Sequence, residues 1–409
     1  MKQKTQKKHI NITVAILIGL LLGIVVGILV PGRMEWLLPV VDLIGGLYMS
    51  ALNMVIFPMV FCSIIMGIWG IGSMGKTGRI GGSAMLYFVL TTALASAIGL
   101  VVPRVIQLGK GVEIELVEST AVEATKFSSL LDTVKGLIPS NPIAAFANGN
   151  MLQVLVFAVI VGFACLSIRE KSKPFIQVVD SLNEICMRII SVVMYFTPIG
   201  VFCTIVPVVY NNGMATILSL AVILITLYVA FFAYAFVVYG ASVKFMGKMS
   251  PKRFFTAIMP AALNAFGTCS SSATIPLSKR CCEEDLGISN EVTSLAIPLG
   301  ATVNMDAVSI LMSFMIMFFA NACGVEVTIG QMVVVLCCNV LLSIGTPGVP
   351  GGAIASFAAL ASIAGLPAGV MGVYISINTL CDMGATCVNV IGDLSCCAVL
   401  QEKLKKDLN

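Results

Sequence analysis

The sequence predicts an all-α polytopic membrane protein, and three observations lead there. Of its 409 residues, 58% are hydrophobic and only 11% charged, with a mean hydropathy of +1.02; a water-soluble surface needs far more charge than that. Apolar runs long enough to cross a bilayer core at 1.5 Å per residue recur along the chain. Basic residues gather in the short links beside alternate runs, as the positive-inside rule requires. The net charge of +4 is modest and sits mostly in loops, which speaks against a nucleic-acid partner.

Spans fall near 10–30, 37–70, 83–103, 150–168, 175–208 and 214–246, and again near 290–322. The first follows a basic tail and resembles a signal peptide in outline, but its length and the lack of a small-residue cleavage motif read as a retained helix. The second is longer than a perpendicular crossing needs and contains Asn53 and Pro58, so it tilts or kinks. Between 104 and 150 a polar stretch with Glu113, Glu115, Glu118 and Glu123 leads into "SNPIAAFANGN", which reads as a loop. Lys2, Lys4, Lys7 and Lys8 precede the first span, and Lys76 and Arg79 follow the second. Arg169, Lys171 and Lys173 follow the fourth, Lys244, Lys248, Lys252 and Arg253 the sixth, and Lys403, Lys405 and Lys406 end the chain. Both termini are therefore expected in the cytoplasm, with the acidic loop opposite. The 14 cysteines lie mostly in apolar runs, without a zinc-type C-x-x-C pair, and His9 is the only histidine; they read as small packing residues.

After residue 250 the pattern changes. The segment 251–282 is broken at "GTCSSSATIP" and 329–365 at "SIGTPGVPGG", where Gly and Pro end helices. Each is followed by a polar-rich span, with "GATVNMDAVSI" after the first and "DMGATCVNVIGD" after the second. The unit of broken hairpin and polar helix thus occurs twice. With the first hairpin opening from the cytoplasm and the second from outside, the repeat is inverted. Paired interrupted segments of this kind point to a transporter's central site.

Asp306, Asp382 and Asp393 fall where lipid or protein is expected instead of water. An aspartate at a helix centre costs on the order of 3 kcal/mol to insert, so three amount to roughly 8–10 kcal/mol before compensation. No Lys or Arg lies within the polar helices themselves, so a bound cation compensates them more cheaply than an ion pair, the plain structural alternative. Asn304 and Asp306 straddle one helical bend; Asn389 and Asp393 stand at i and i+4 on one face. Thr91 and Thr92 either add neutral oxygens or bond back to their own helix. Ser270, Ser271 and Ser272 at the first break offer hydroxyls and N–H groups to a carboxylate. The glycine-rich break at 345–352 lets backbone approach a ligand, or moves.

"SSSATIP", "NMD", "GTPGVPGG" and "DMG-T--NV-GD" resemble the four signature segments of the dicarboxylate/amino acid:cation symporters, the glutamate transporter family. The resemblance covers the whole chain in helix order. It implies a homotrimer in the cell membrane, each chain with eight transmembrane helices and two re-entrant helical hairpins. Residues 1–82 and 104–208 would be scaffold, and 83–103 with 209–409 a transport domain that moves like an elevator. Sodium would be the coupling ion, with no other cofactor. One sodium would meet Gly300, Asn304, Asn389 and Asp393. A second would lie between Thr302 and Met305 and the carbonyls of Ser343, Ile344 and Thr346. A third would use Thr91, Thr92, Asn304 and Asp306, in a place where Phe88 replaces the family's usual tyrosine. Asp382, Thr386, Cys269 and Val349 would hold an α-ammonium, and Ser271 with Asn389, next to Ser270, the α-carboxylate.

Acidic-substrate members carry an arginine where this chain has Ala385, a threonine at Val308 and an aspartate at Asn378; a further arginine, placed at Cys269 or Met383, is also absent. The pocket is then uncharged around the solute's side chain, and an unpaired carboxylate there costs several kcal/mol. The expectation is sodium-coupled symport of a neutral amino acid resembling alanine, serine or threonine, with an acidic amino acid or dicarboxylate, coupled to sodium or protons, as the alternative. Two other classes fit less well. Intramembrane aspartyl proteases resemble one another in a G-x-G-D segment, where this chain reads "NVIGD". A channel would show a ring of like charges or a carbonyl filter.

Overall fold

The computed structural model describes residues 12–29, 35–72, 78–112, 138–346 and 348–408, and these are helical apart from short turns. Glu113, Glu115, Glu118, Glu123, Lys2, Lys4, Lys7, Lys8, His9 and Lys76 lie outside them, as do the side chains of Asn53, Arg79, Lys405 and Lys406.

The first half runs α1 (Ile12–Leu29), α2 (Leu38–Gly72), α3 (Gly78–Val105), α4 (Pro142–Ala147), α5 (Met151–Ile168), α6 (Lys173–Met194) and α7 (Thr197–Tyr234). The "SNPIAAFANGN" segment contains the short α4, started by Asn141, whose side chain accepts from the backbone N–H groups of Ile143 and Ala144. One expected boundary is corrected. The fifth and sixth spans do not part at 208–214: the chain turns at Tyr195 and Phe196, and α7 runs unbroken through Asn211, Asn212 and Gly213. Pro198 opens α7, where its missing N–H costs nothing, while a single internal Gly costs only about 1 kcal/mol. The expected change of unit at 208–209 therefore falls inside a helix. Beyond Tyr234 the same helix continues through two π turns, Ala235–Tyr239 and Ser242–Met246.

The second half contains two helix–break–helix pairs and two polar helices. α8 (Pro251–Thr268) and α9 (Ser271–Arg280) part at Cys269 and Ser270; α12 (Ile329–Gly345) and α13 (Gly352–Ile363) part at the glycine-rich segment. Between the pairs, α10 (Asn290–Val303) and α11 (Asp306–Ala322) are separated by an unwound Asn304–Met305 step, the bend expected at "NMD". α14 (Val370–Leu408) closes the chain as one helix of 39 residues.

Every residue from Asp306 to Ala320 is buried, and α14 is buried nearly throughout from Val370 to Leu400. Helices apolar all round belong in a core, and these two form its axis. α11 packs on α3 and α14, while α14 also meets α7, α8 and α10. α1 lies along α7, and α2 packs on α5, α6 and α7. Leu21, Leu43, Leu86, Leu90, Ile225, Val229 and Leu263 face outward from this assembly, a surface suited to hydrocarbon.

Candidate functional site

The two breaks meet at the middle of α14. Ser270 starts α9 by accepting from the Ala273 N–H (3.1 Å) and donates its hydroxyl to the Gly348 carbonyl of the other break (3.0 Å). The Ser272 N–H reaches the same carbonyl at 3.1 Å. Gly348 also lies so near the Ala301 carbonyl that a Cβ would collide with it. Asp382 accepts from the Gly351 N–H (3.2 Å) and from the Thr386 hydroxyl (3.3 Å).

Between the breaks lies a small cavity lined by Cys269, Ser271, Met305, Val308, Thr346, Gly348, Val349, Ala353, Asp382, Thr386 and Asn389. Its volume is about 10 Å³, room for about one water, so a solute enters only if the lining parts. Cys269 holds a left-handed backbone (φ 50°) at its edge, a strain that collects at ligand sites.

Behind the cavity is a second polar cluster. Asn304 donates through Nδ2 to the Asn389 carbonyl and to Asp393 Oδ1, both at 2.8 Å. Asp306 accepts from the hydroxyls of Thr92 (2.6 Å), Tyr239 (2.7 Å) and Tyr234 (3.1 Å). The partners of both carboxylates are neutral. Asn304 Oδ1 is buried without a hydrogen-bond partner. A lone acceptor beside two carboxylates, with no counter-charge bonded to them among the described residues, fits a bare cation, which takes up oxygen lone pairs. Gly300 makes room: a Cβ there would strike the Asp393 carboxylate and touch the Phe88 ring.

Most of the residues singled out from sequence thus converge. Cys269, Ser271, Val308, Val349, Asp382, Thr386 and Asn389 line the cavity, joined by Met305 and Thr346, which were expected around an ion. Gly300, Asn304, Asp306, Asn389, Asp393 and Thr92 gather behind it. Four do otherwise. Ser270 caps its helix beside the cavity. Ala385 is buried but outside the lining. The Thr91 hydroxyl bonds back to the Phe88 carbonyl (3.1 Å), and exposed Thr302 does the same to Leu299 (3.0 Å). The Ser343 hydroxyl is likewise turned to its own helix, at the Val340 carbonyl, and Ile344 is half-buried beside it. Sequence reasoning missed Gly351, whose N–H meets Asp382, and the two tyrosines on Asp306.

Broken helices around a cavity, with buried carboxylates alongside, are the arrangement expected at the centre of a membrane transporter. The chain belongs to the sodium:dicarboxylate symporter family, which it matches over residues 12–403. It is 31% identical over 360 residues to a C4-dicarboxylate transport protein of Geobacter sp. (strain M21), covering 86% of this chain and 81% of that one. It is 30% identical to the C4-dicarboxylate transport protein of Bacillus subtilis (strain 168), with 86% and 84% covered. A proton/sodium-glutamate symport protein of Geobacillus stearothermophilus is 27% identical, with 90% and 88% covered. These relatives are named for acidic solutes, which favours the alternative expectation over the neutral amino acid.

Proposed function

We propose that this chain is a cation-coupled symporter that carries a small carboxylate-bearing solute through the cavity between its two helix breaks. The observation that carries the reading is the cavity itself, where Asp382, Thr386 and Asn389 of α14 face both breaks, with the uncompensated Asp306 and Asp393 directly behind. A cation between those carboxylates and Asn304 makes solute entry and ion entry depend on the same helices. Three sodium positions follow from the resemblance: Gly300, Asn304, Asn389 and Asp393; Thr302, Met305, Ser343, Ile344 and Thr346; and Thr91, Thr92, Asn304 and Asp306. The pairs α8–α9 and α12–α13 would be re-entrant hairpins in a chain of eight spans with cytoplasmic termini. They would move with α3, the part of α7 from 209 on, α10, α11 and α14 against a trimeric scaffold.

The solute has two readings. Relatives named for C4-dicarboxylates and glutamate support an acidic one, and this has the wider support. The composition of the cavity favours a neutral amino acid: its charged lining residue is Asp382, and Val308, Val349 and Ala353 complete it without a Lys or Arg. Asp382 suits an ammonium, whereas a second carboxylate beside Val308 would be unpaired. Uptake into proteoliposomes under imposed sodium or proton gradients decides between them. Succinate, aspartate or glutamate outcompeting alanine and serine establishes the acidic reading, and the reverse order the neutral one. In the neutral case, Ala385→Arg with Asn378→Asp shifts selectivity toward acidic solutes. Uptake of none of them above empty vesicles under either gradient defeats the coupled reading.

A further inference from the structure

Neither Tyr234 nor Tyr239 belongs to the ion-site residues expected from the sequence, yet both hydroxyls end on the same oxygen of Asp306, at 3.1 and 2.7 Å. In an α-helix, five residues at about 100° each leave two side chains about 140° apart. The turn Ala235–Tyr239 is a π turn, which closes its hydrogen bonds over five residues and brings the fifth back into line. The two rings meet edge to face, 5.2 Å between centroids at 87°. Gly392 completes the arrangement: a Cβ there would collide with the Tyr239 hydroxyl and the Asn304 amide. Phe88, fully buried and without a hydroxyl, has its ring against Gly300.

We infer that Tyr239, aligned with Tyr234 by the π turn, supplies the deep cation site at Asp306 with the hydroxyl oxygen that Phe88 does not. The inference rests on the cation-coupled reading above. A phenol oxygen suits the position because it both donates and accepts. It donates to Asp306 in this structure, and its lone pairs face a cation once one is held there. The Thr91 hydroxyl donates to its own helix, while Thr92 and Tyr234 also direct hydroxyls at Asp306. The Tyr234 hydroxyl also donates to the Thr91 carbonyl at 2.7 Å, which ties the tyrosine pair to that helix.

The test is thermal unfolding of the purified full chain across a sodium chloride series, with choline chloride holding ionic strength and no solute present. Wild type is expected to gain Tm as sodium rises. In Tyr239→Phe, which removes one oxygen, the sodium concentration for half the gain should rise about tenfold, from losing one charge-directed contact. Tyr234→Phe should shift it less, and Phe88→Tyr placed in the Tyr239→Phe background should recover part of the loss. An unchanged sodium midpoint in Tyr239→Phe, whether or not its sodium-free Tm falls, assigns the tyrosine to structure alone and overturns the inference. Should that variant fail to fold, Tyr234→Phe is read by the same rule: a raised midpoint supports, an unchanged one overturns. A wild type whose Tm ignores sodium overturns the sodium-coupled reading itself, a result distinct from a responsive wild type with an indifferent variant.

Discussion

The first helix break turns the chain in two residues, Cys269 and Ser270, whereas the second takes six, from Thr346 to Gly351, between α12 and α13. Around the first, polar groups are tied locally. Ser270 caps α9, the Thr274 hydroxyl donates to the Ser270 carbonyl (2.9 Å), and Asn264 donates to Thr274 (3.0 Å). Around the second, Gly351 starts α13 in a left-handed conformation (φ 77°) with no side-chain cap, and its N–H is given to Asp382 of another element. The first tip is held by its own neighbours and by the Gly348 carbonyl; the second is held by the Thr346 hydroxyl, which bonds Leu342 and Ser356 on its two arms, and also by Asp382, the residue proposed to hold the solute. A solute ammonium at Asp382 competes for the oxygen that anchors Gly351, so solute binding and the position of the second break are linked. With only about 10 Å³ between the tips, a solute enters only if they part, and its competition for Asp382 makes the second the tip expected to yield.

The largest effect should come from Asp382→Asn. If an amino acid's ammonium is held there, removing one side of a buried charge pair costs about 2–5 kcal/mol, roughly 30-fold to several thousand-fold in affinity. Equilibrium binding of labelled solute to the detergent-purified protein reads this directly. Unchanged affinity would break the link between Asp382 and the solute and leave Asp382 as a mere anchor for Gly351. Asp393→Asn should instead weaken sodium dependence while sparing solute affinity at saturating sodium, because Asp393 bonds Asn304 and not the cavity.

Gly351→Ala comes next. A left-handed alanine costs about 1–2 kcal/mol, and its Cβ would also meet the Met194 side chain. Strain released by shifting the second break should lower solute affinity by about 5–30-fold, with the Tm in sodium but without solute little changed. A large loss of stability in place of a loss of affinity would show that the second break is as fixed as the first.

Much of this was legible because Gly and Pro punctuate the chain at the functional positions: both breaks, the "NMD" step and the three buried aspartates are where sequence put them. Elements that depend on register were not. "YNNG" reads as a link, yet α7 passes through it, since neither Asn nor one Gly forbids a helix whose neighbours pack along it. Thr91 and Thr92 look equivalent in sequence, but adjacent residues face about 100° apart: the Thr92 hydroxyl donates to Asp306 and the Thr91 hydroxyl to the Phe88 carbonyl of its own helix. Tyr239 was invisible for a related reason: helical periodicity assigns it a different face from Tyr234, and a π turn leaves no mark in hydropathy.

The smallest effect, and the sharpest check on the contrast between the tips, is Ser270→Ala. The substitution removes the cap of α9, worth about 1 kcal/mol, and the bond to the Gly348 carbonyl. Because Ser272 N–H also reaches that carbonyl, the two breaks stay linked through backbone. The Thr274 and Asn264 bonds still hold the turn. Tm should therefore fall by about 1–3 °C, and solute affinity should change by less than about threefold, below what Gly351→Ala produces. If Ser270→Ala lowers affinity as much as Gly351→Ala does, the first tip is not a preformed surface. Both breaks would then rearrange together on binding, and the asymmetry in their hydrogen bonding would describe the solute-free state alone.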